Sequence, residues 1–257
     1  MVEMGEPRPV RREVYDSYVT RLLPPQNGVC DCCCQPADCD FCDSCAEGLD
    51  ALNLPRAAVL PIALRPRGTQ LRNLTWQYKH LEDAEQRSNA EHALTQFLGR
   101  FLLRHEACAA DNAGVESFDM VTWVPSSPSN QRGYDPVQRL LLSGPWAARP
   151  ANAGRVTHLL TDTGRYSDSH HVHRDWYVAD GAVRGRTVLV VDDTWTHGGH
   201  VLSAFRALSD AGSRGMAAIV IGRTFDQNYS EECRDYFSRA GNEPFTPRFC
   251  QYCDPRP

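Results

Sequence analysis

The chain lacks the features that direct a protein to or across a membrane. No segment of its 257 residues is apolar over the length that a bilayer-spanning helix needs. Residues 1–18 contain no apolar core of the kind that a secretory signal peptide requires. We therefore expect a cytoplasmic protein with no membrane partner.

An excess of positive charge, internal repeats and low-complexity tracts are also missing. The formal net charge is −5, with 27 Lys and Arg residues against 32 Asp and Glu residues. This balance argues against broad electrostatic attraction to nucleic acid, so we do not expect direct nucleic-acid binding. With 42% hydrophobic residues, the chain can bury the core of one medium domain that carries a small appendage.

Cysteine, in contrast, is abundant, with 11 residues, seven of them in the segment CDCCCQPADCDFCDSC (30–45). Without an export signal, such a cluster is typical of a metal site rather than of disulfides. Two C-x-x-C pairs, Cys30 with Cys33 and Cys42 with Cys45, supply four thiolates for one tetrahedral Zn²⁺ ion. A four-sulfur site is closed to water and structural, and zinc binding contributes about 10–16 kcal/mol to the folding of comparable short peptides.

The cysteine spacing leaves other ligand sets open. Three further cysteines of the cluster allow other pairings: Cys32, Cys34 and Cys39. Cys250 and Cys253 form another C-x-x-C, which either closes a site with the N-terminal cluster or helps to build a second zinc site. A redox-active thiol cluster is the competing interpretation. We expect Cys108 and Cys233, which lie in helical patterns, to be buried apolar residues.

A second informative pattern occupies residues 186–200, RTVLVVDDTWTHGGH. An apolar run rich in valine predicts a buried strand that ends in two adjacent carboxylates, Asp192 and Asp193. A polar loop with Gly198 and Gly199 follows, and apolar residues then recur at helical spacing over 201–208. Backbone N–H groups at a glycine loop and a helix start can hold a phosphate. The two carboxylates before the loop suit the hydroxyls of a sugar attached to that phosphate.

Strand and helix patterns alternate along the rest of the chain. The sequence predicts strands over 57–64, 118–124, 155–160, 188–191 and 216–222. It predicts helices over 71–79, 81–104, 136–142, 201–208 and 229–240, a polar loop over 108–117 and a mobile loop or hairpin over 161–183. This alternation predicts an α/β fold with a mostly parallel sheet. We expect an N-terminal zinc-binding module within residues 1–50, an α/β domain over 51–224 and a C-terminal extension over 225–257.

Residues 186–200 resemble the ligand signature of type I phosphoribosyltransferases, which use 5-phosphoribosyl-1-pyrophosphate (PRPP). Several segments together resemble the ComF-like family: the cysteine knuckles, GTQLRNLTWQYKH (68–80), VPSSPSNQRGYDPVQRL (124–140), RGRTVLVVDDTWTHGG (184–199) and AIVIGRT (218–224). The resemblance implies a type I phosphoribosyltransferase fold with an N-terminal zinc module. It also implies binding of PRPP with Mg²⁺ and transfer of the phosphoribosyl group to an unknown acceptor, with loss of pyrophosphate. Some members of the family are linked to DNA uptake in bacteria.

The resemblance implies roles for individual residues of the 186–200 segment. Asp192 and Asp193, as the catalytic pair, would bind the ribose hydroxyls or their magnesium shell. The loop that would wrap the 5-phosphate consists of Thr196, His197, Gly198, Gly199 and His200. Both histidines stand where family members usually carry hydroxyl side chains, and a histidine can donate a hydrogen bond there instead.

Further roles follow for the segments around it. The pyrophosphate loop would be formed by Pro125, Ser126 and Ser127 with Arg132 as its cation, or the stretch is a surface turn with a solvated arginine. We expect Lys79 to be a helix-surface lysine. Residues 161–178 correspond to the lid that closes over PRPP in relatives, and the residues there that can meet phosphate are Arg165, His170, His171, His173 and Arg174.

Three functions are compatible with these patterns. The first is a phosphoribosyltransferase that uses PRPP and Mg²⁺, with structural zinc. The second is a non-catalytic regulator that binds PRPP or a nucleotide, or a ComF-like accessory protein of DNA uptake. In the third, the zinc module is an adaptor for a protein partner, which its acidic residues favour over DNA. Relatives of this fold often form dimers, so a homodimer is a further expectation.

Overall fold

The computed structural model describes residues 19–26, 28–126, 133–166, 171–242, 245–248 and 250–253. Within these residues the strands are β1 (Ala58–Pro66), β2 (Met120–Trp123), β3 (Leu160–Asp162), β4 (Tyr177–Ala179), β5 (Thr187–Trp195) and β6 (Gly215–Phe225). The helices are α1 (Asp43–Ala51), α2 (Gln70–His80), α3 (Ala84–Ala113), α4 (Pro136–Leu142), α5 (Pro150–Ala153), α6 (Gly199–Asp210) and α7 (Glu231–Gly241).

A parallel sheet forms the centre of the described residues. Its strand order is β1-β6-β5-β2, and every neighbouring pair is parallel. The two central strands, β5 and β6, are apolar along most of their length because helices cover both of their faces. A short antiparallel hairpin, β3 with β4, lies outside this sheet. The predicted α/β class and parallel sheet are confirmed.

The period of two along β5 divides the core into two layers. Leu189 and Val191 pack on one face, with helices α2, α3 and α4. Val188 and Val190 pack on the other face, with α1, α6, the hairpin and the cysteine module. The carboxyl ends of the parallel strands meet at one edge of the sheet, which is where open α/β sheets bind ligands.

Two predictions of local structure are wrong. Helix α3 continues to Ala113, through more than half of the stretch 108–117 that the sequence predicts as a polar loop. Ala109 and Ala110 are buried against the core there, and the helix ends at Gly114, whose φ of 68° is left-handed. The strand predicted over 155–160 is reduced to a single parallel bridge, from Val156 to Val121, before β3 begins at Leu160.

No helix among the described residues combines the length and the apolarity that are needed to span a bilayer.

Candidate functional site

Four cysteines of the N-terminal module converge on one point. The ligand sulfurs of Cys30, Cys33, Cys42 and Cys45 all lie within 4.8 Å of one another, and all four residues are buried. These are the four that the sequence predicts as zinc ligands. Burial alone would raise the pKa of Cys33, but hydrogen bonds from the other three thiols lower it well below its ordinary value. A four-sulfur donor set of this kind suits Zn²⁺.

The turns of this module explain why the sulfurs meet. Cys34 adopts a left-handed φ of 58°, and its N–H donates to the carbonyl of Cys30 over 2.9 Å. Cys42 is the N-cap of α1 and Cys45 lies in the first turn of that helix, so the start of α1 brings both sulfurs to the other two. Cys32 and Cys34 are buried beside the group, whereas Cys39 is exposed.

The predicted acidic pair lies at the carboxyl edge of the sheet, in the last part of β5. Asp192 and Asp193 are only 7% and 4% exposed. Asp193 Oδ2 accepts a hydrogen bond from the Tyr78 hydroxyl over 2.6 Å and lies 2.8 Å from Lys79 Nζ. Asp192 Oδ1 accepts from the Asp193 backbone N–H over 2.8 Å. The two carboxylates therefore have different surroundings, although they are adjacent in the chain.

The different surroundings give the two carboxylates opposite pKa shifts. Burial and the charge of Asp193 raise the pKa of Asp192 well above its ordinary value. Burial also acts to raise the pKa of Asp193, but the charge and hydrogen bond of Lys79 and the Tyr78 hydroxyl outweigh it and lower that pKa. Burial would lower the pKa of Lys79, but the two aspartates raise it. At neutral pH, Lys79 and Asp193 form an ion pair.

The glycine loop connects β5 to the N-terminus of α6. Gly198 is the N-cap residue and has a φ of 87°, which disfavours any other residue. A Cβ at this position would also lie 2.5 Å from Trp195 Cζ2, which packs beneath the loop. The backbone N–H groups of the first turn of α6 have no acceptor within the helix, so the loop presents them together with the positive end of the helix dipole.

Two basic side chains behind the loop hold it in place. Arg223 of β6, only 4% exposed, donates to the carbonyl of Thr196 over 2.8 Å and to the side-chain oxygen of Gln35 in the cysteine module. Arg65 of β1 donates to Thr224 Oγ1 over 3.2 Å, and that hydroxyl lies 3.1 Å from Thr196 Oγ1. The cysteine module and the glycine loop are thus joined through one buried arginine.

His200 lies in the first turn of α6 and is engaged from two sides. Its Nδ1 lies 2.6 Å from the Tyr177 hydroxyl, and its ring packs on Trp176 at 4.4 Å between centroids. Burial, followed by the charge of Lys79, lowers the pKa of His200, so the imidazole is neutral at neutral pH. His197 is half-buried in the loop.

The predicted pyrophosphate loop is described only in part. Pro125 and Ser126 follow β2 at the same edge of the sheet, whereas Ser127 and Arg132 lie outside the described residues. The Ser126 N–H donates to Asp135 Oδ2 over 2.6 Å. Ser126 Oγ is buried without a hydrogen-bond partner among the described residues. A buried hydroxyl in this position is a group that a polar ligand can satisfy.

The segment predicted as a lid begins and ends in the β3–β4 hairpin. His173 stacks on Tyr166 with ring centroids 3.8 Å apart, and its N–H donates to Ser203 Oγ of α6 over 3.0 Å. Arg165 pairs with Asp175 over 2.6 Å, on the exposed surface. Arg174 pairs with Asp210, and His171 is exposed. His170 lies outside the described residues.

Sequence reasoning missed two parts of this site. The prediction of a helix-surface lysine at position 79 is wrong, because Lys79 is the counter-ion of a buried carboxylate. One signal was available: Lys79 is the only lysine in a chain that otherwise uses arginine. Arg223 was missed as well, and its signal was a charged residue directly after the apolar run of β6.

Comparisons with known proteins give limited help. No protein-family model and no curated protein matches the chain. A solved structure of an allosteric regulatory enzyme of purine biosynthesis is similar over 57% of this chain and 30% of its own, with 18% identity and a TM-score of 0.35. The chain therefore spans under a third of that enzyme's length. The functional hypothesis rests on the residues of this chain.

Proposed function

We propose that the chain binds PRPP together with Mg²⁺ at the carboxyl edge of its sheet and transfers the phosphoribosyl group to a nucleophilic acceptor. The observation that carries the proposal is the buried Asp192–Asp193 pair, followed directly by a glycine loop at the N-terminus of a 12-residue helix. One site thereby combines acceptors for sugar hydroxyls with donors for a phosphate. These are the two groups that a phosphorylated sugar presents.

The glycine loop supplies the 5-phosphate site in this proposal. Backbone N–H groups from Gly199 onward face the loop, and only glycine at position 198 lets the chain turn tightly over Trp195. Arg223 and Thr224 hold the carbonyl and hydroxyl of Thr196 from behind. These contacts fix the loop before a ligand arrives, so that little ordering free energy is lost on binding.

The two aspartates have separate tasks. Lys79 offsets the charge of Asp193 and the Tyr78 hydroxyl donates to it, so this carboxylate adds little net negative charge beside an anionic ligand. Asp192 carries the raised pKa, and the hydroxyls of the ribose favour its carboxylate form by donating to it. Ligand binding should therefore release a proton from Asp192, and binding should become tighter as the pH rises.

The leaving pyrophosphate needs positive charge and N–H donors. Pro125 and Ser126 lie at the end of the neighbouring strand β2, where the buried Ser126 hydroxyl has no partner among the described residues. The all-oxygen donor set of Asp192 and the ligand's phosphates fits Mg²⁺, which would offset the charge on the departing pyrophosphate. The protein positions the ribose and the leaving group, while the acceptor attacks C1 and the C1–O bond to pyrophosphate breaks.

The cysteine module has a structural part in this proposal. Zinc held by its four cysteines would fix the segment that carries Gln35, which accepts from Arg223. Arg223 in turn holds the carbonyl of Thr196. The metal would then support the phosphate loop through one arginine without contacting the ligand.

Titration calorimetry tests the proposal. We expect saturable binding of PRPP with Mg²⁺ by the wild type and loss of binding in the Asp192→Asn/Asp193→Asn double variant. The same substitution at an exposed carboxylate of α7, Asp235→Asn, serves as the control and should bind like the wild type. No binding by the folded, zinc-loaded wild type would contradict the proposal.

A non-catalytic regulator that binds PRPP or a nucleotide is the second candidate. It is favoured by His200, which stands where relatives carry a hydroxyl and is held by Tyr177 and Trp176. PRPP binding without pyrophosphate release, across purine, pyrimidine and amine acceptors, would select this candidate over the transferase.

A further inference from the structure

A second group of metal-ligand side chains lies away from the site described above. It consists of His105 and Cys108 on α3 and Cys250 and Cys253 in the C-terminal turn. One ligand atom from each residue lies within 4.8 Å of all the others. Two elements about 140 residues apart in the chain thus bring three sulfurs and one imidazole nitrogen together.

Three of the six separations between these atoms match those of a tetrahedral zinc site. Cys253 Sγ lies 3.5 Å from His105 Nδ1 and 3.5 Å from Cys250 Sγ, and Cys108 Sγ lies 3.7 Å from His105 Nδ1. With Zn–S bonds of about 2.3 Å and a Zn–N bond of about 2.0 Å, tetrahedral ligands are separated by roughly 3.5–3.8 Å. A Zn²⁺ ion would need little movement of these four side chains.

The protonation of His105 is fixed by a backbone partner. His105 Nε2 lies 3.0 Å from the carbonyl oxygen of Pro247, which can only accept, so Nε2 carries the proton. The lone pair is therefore on Nδ1, the nitrogen that faces the sulfurs of Cys108 and Cys253. A histidine that donates its other N–H to a carbonyl is the usual arrangement of a histidine ligand to zinc. His105 is only 1% exposed, so its ring orientation is set by packing.

The local sequence explains why each pair of ligands faces the same way. His105 and Cys108 are three residues apart on α3 and therefore share a helix face. Cys250 and Cys253 form a C-x-x-C turn, in which the N–H of Cys253 donates to the carbonyl of Cys250 over 3.2 Å. The N–H of Cys250 also points to the sulfur of Cys253 over 3.4 Å.

We infer that His105, Cys108, Cys250 and Cys253 bind a second, structural Zn²⁺ ion. The four protein ligands close the site, so it has no open position for substrate or catalytic water. The sequence leaves two uses open for Cys250 and Cys253: closing a site with the N-terminal cluster or building a second zinc site. The structure favours a second site, because their partners are on α3 rather than in the N-terminal module. The expectation that Cys108 is a plain buried apolar residue is corrected.

The position of this site indicates its effect on the fold. Zinc there would fasten the C-terminal segment to the last third of α3, the longest helix of the described residues. Phe245 packs on Phe97 of α3 at 5.5 Å between centroids, and the Tyr252 hydroxyl reaches the carbonyl of Asp31 in the cysteine module. A single ion would therefore hold the C-terminal segment against both α3 and the N-terminal module, independently of any PRPP binding.

Metal analysis of the full chain tests the inference. We expect Cys253→Ser to lower the zinc content by one equivalent per chain relative to the wild type. Cys253 is exposed, so this variant should fold. Cys233→Ser, a half-buried cysteine of α7 outside both groups, is the matched control and should retain all zinc. Cys42→Ser should remove a different equivalent and leave the one that depends on Cys253.

A spectroscopic readout on the wild type avoids any dependence on variant folding. X-ray absorption at the zinc edge should show nitrogen as well as sulfur ligands, because only the second site contains an imidazole. Zinc content unaffected by Cys253→Ser, together with sulfur-only coordination, would overturn the inference. So would an intact mass that shows Cys250 and Cys253 as a disulfide in the protein purified under reducing conditions.

Discussion

Asp192 and Asp193 are identical in chemistry and adjacent in sequence, yet their replacement by asparagine should change stability in opposite directions. Asp192 is a buried carboxyl with a raised pKa, so at neutral pH the unliganded fold must either take up a proton that the unfolded chain does not bind or bury a charge, and both are unfavourable. Asp193 is the counter-ion of Lys79. Replacing the first carboxyl relieves a penalty, whereas replacing the second leaves the Lys79 cation without its partner.

The magnitudes follow from the surroundings of each side chain. Breaking a fully buried ion pair costs about 3–5 kcal/mol. The Lys79 side chain is 25% exposed and can regain some hydration, so we expect Asp193→Asn to cost about 2–3 kcal/mol, or roughly 5–10 °C in Tm. Asp192→Asn keeps an oxygen for the Asp193 N–H and should stabilise the protein by about 1 kcal/mol.

The pH dependence of the two variants separates them further. The stability tied to a protonated Asp192 is fully present below the pKa of the unfolded chain and is lost as the pH rises through the raised folded pKa. The advantage of Asp192→Asn should therefore grow with pH. Asp193 has a lowered pKa, so its contribution is present above the unfolded pKa and is lost as the pH falls through the folded one.

Urea denaturation of both variants, from acidic pH to pH values above neutral, measures the change in the free energy of unfolding that each substitution causes. Equal destabilisation by the two substitutions at neutral pH would refute the reasoning. It would mean that Asp193 is not the carboxylate that Lys79 stabilises in preference to Asp192. An Asp192→Asn protein that is more stable but no longer binds PRPP would show that Asp192 is needed for ligand binding and lowers the stability of the fold.

Three other variants or treatments test neighbouring parts of the account. Gly198→Ala should cost about 1–3 kcal/mol by thermal denaturation and weaken PRPP binding, because of the positive φ and the clash with Trp195, while Gly181→Ala, which meets open space, should be nearly neutral. Arg223→Met should weaken PRPP binding about tenfold in calorimetry by releasing the Thr196 carbonyl, with zinc content unchanged; loss of zinc instead would place its role in the cysteine module. Chelation of zinc should lower Tm and PRPP affinity together, and unchanged affinity in the metal-free protein would contradict the link through Gln35.

Much of the fold and of the site could be predicted from local patterns. The buried run before Asp192 determines β5, and the following glycines determine the turn into α6, because both depend on residues close in sequence. The two C-x-x-C pairs predicted the four cysteines whose sulfurs the fold brings together for the same reason, since each knuckle is a local turn. Helix α4 was predicted with its observed bounds, and the structure shows a proline in its first turn and the Asp135 side chain capping its N-terminus.

Contacts between distant elements could not be predicted. Lys79 and Asp193 are 114 residues apart, and only the packing of α2 against the sheet brings them together. His105 and Cys253 meet because α3 continues beyond the predicted end of its apolar stripe. In both cases the sequence indicates a polar residue on a helix, Lys79 or His105. It does not indicate which residue of another element packs against that helix.

Hydrogen–deuterium exchange with and without PRPP and Mg²⁺ tests the central claim most directly. The account predicts slower exchange at the backbone amides of residues 196–202, because the loop and the first turn of α6 would donate to the 5-phosphate. The same protection should be absent in Asp192→Asn. Protection confined to other segments, or no change in a protein that binds PRPP, would contradict the assignment of this loop as the phosphate site.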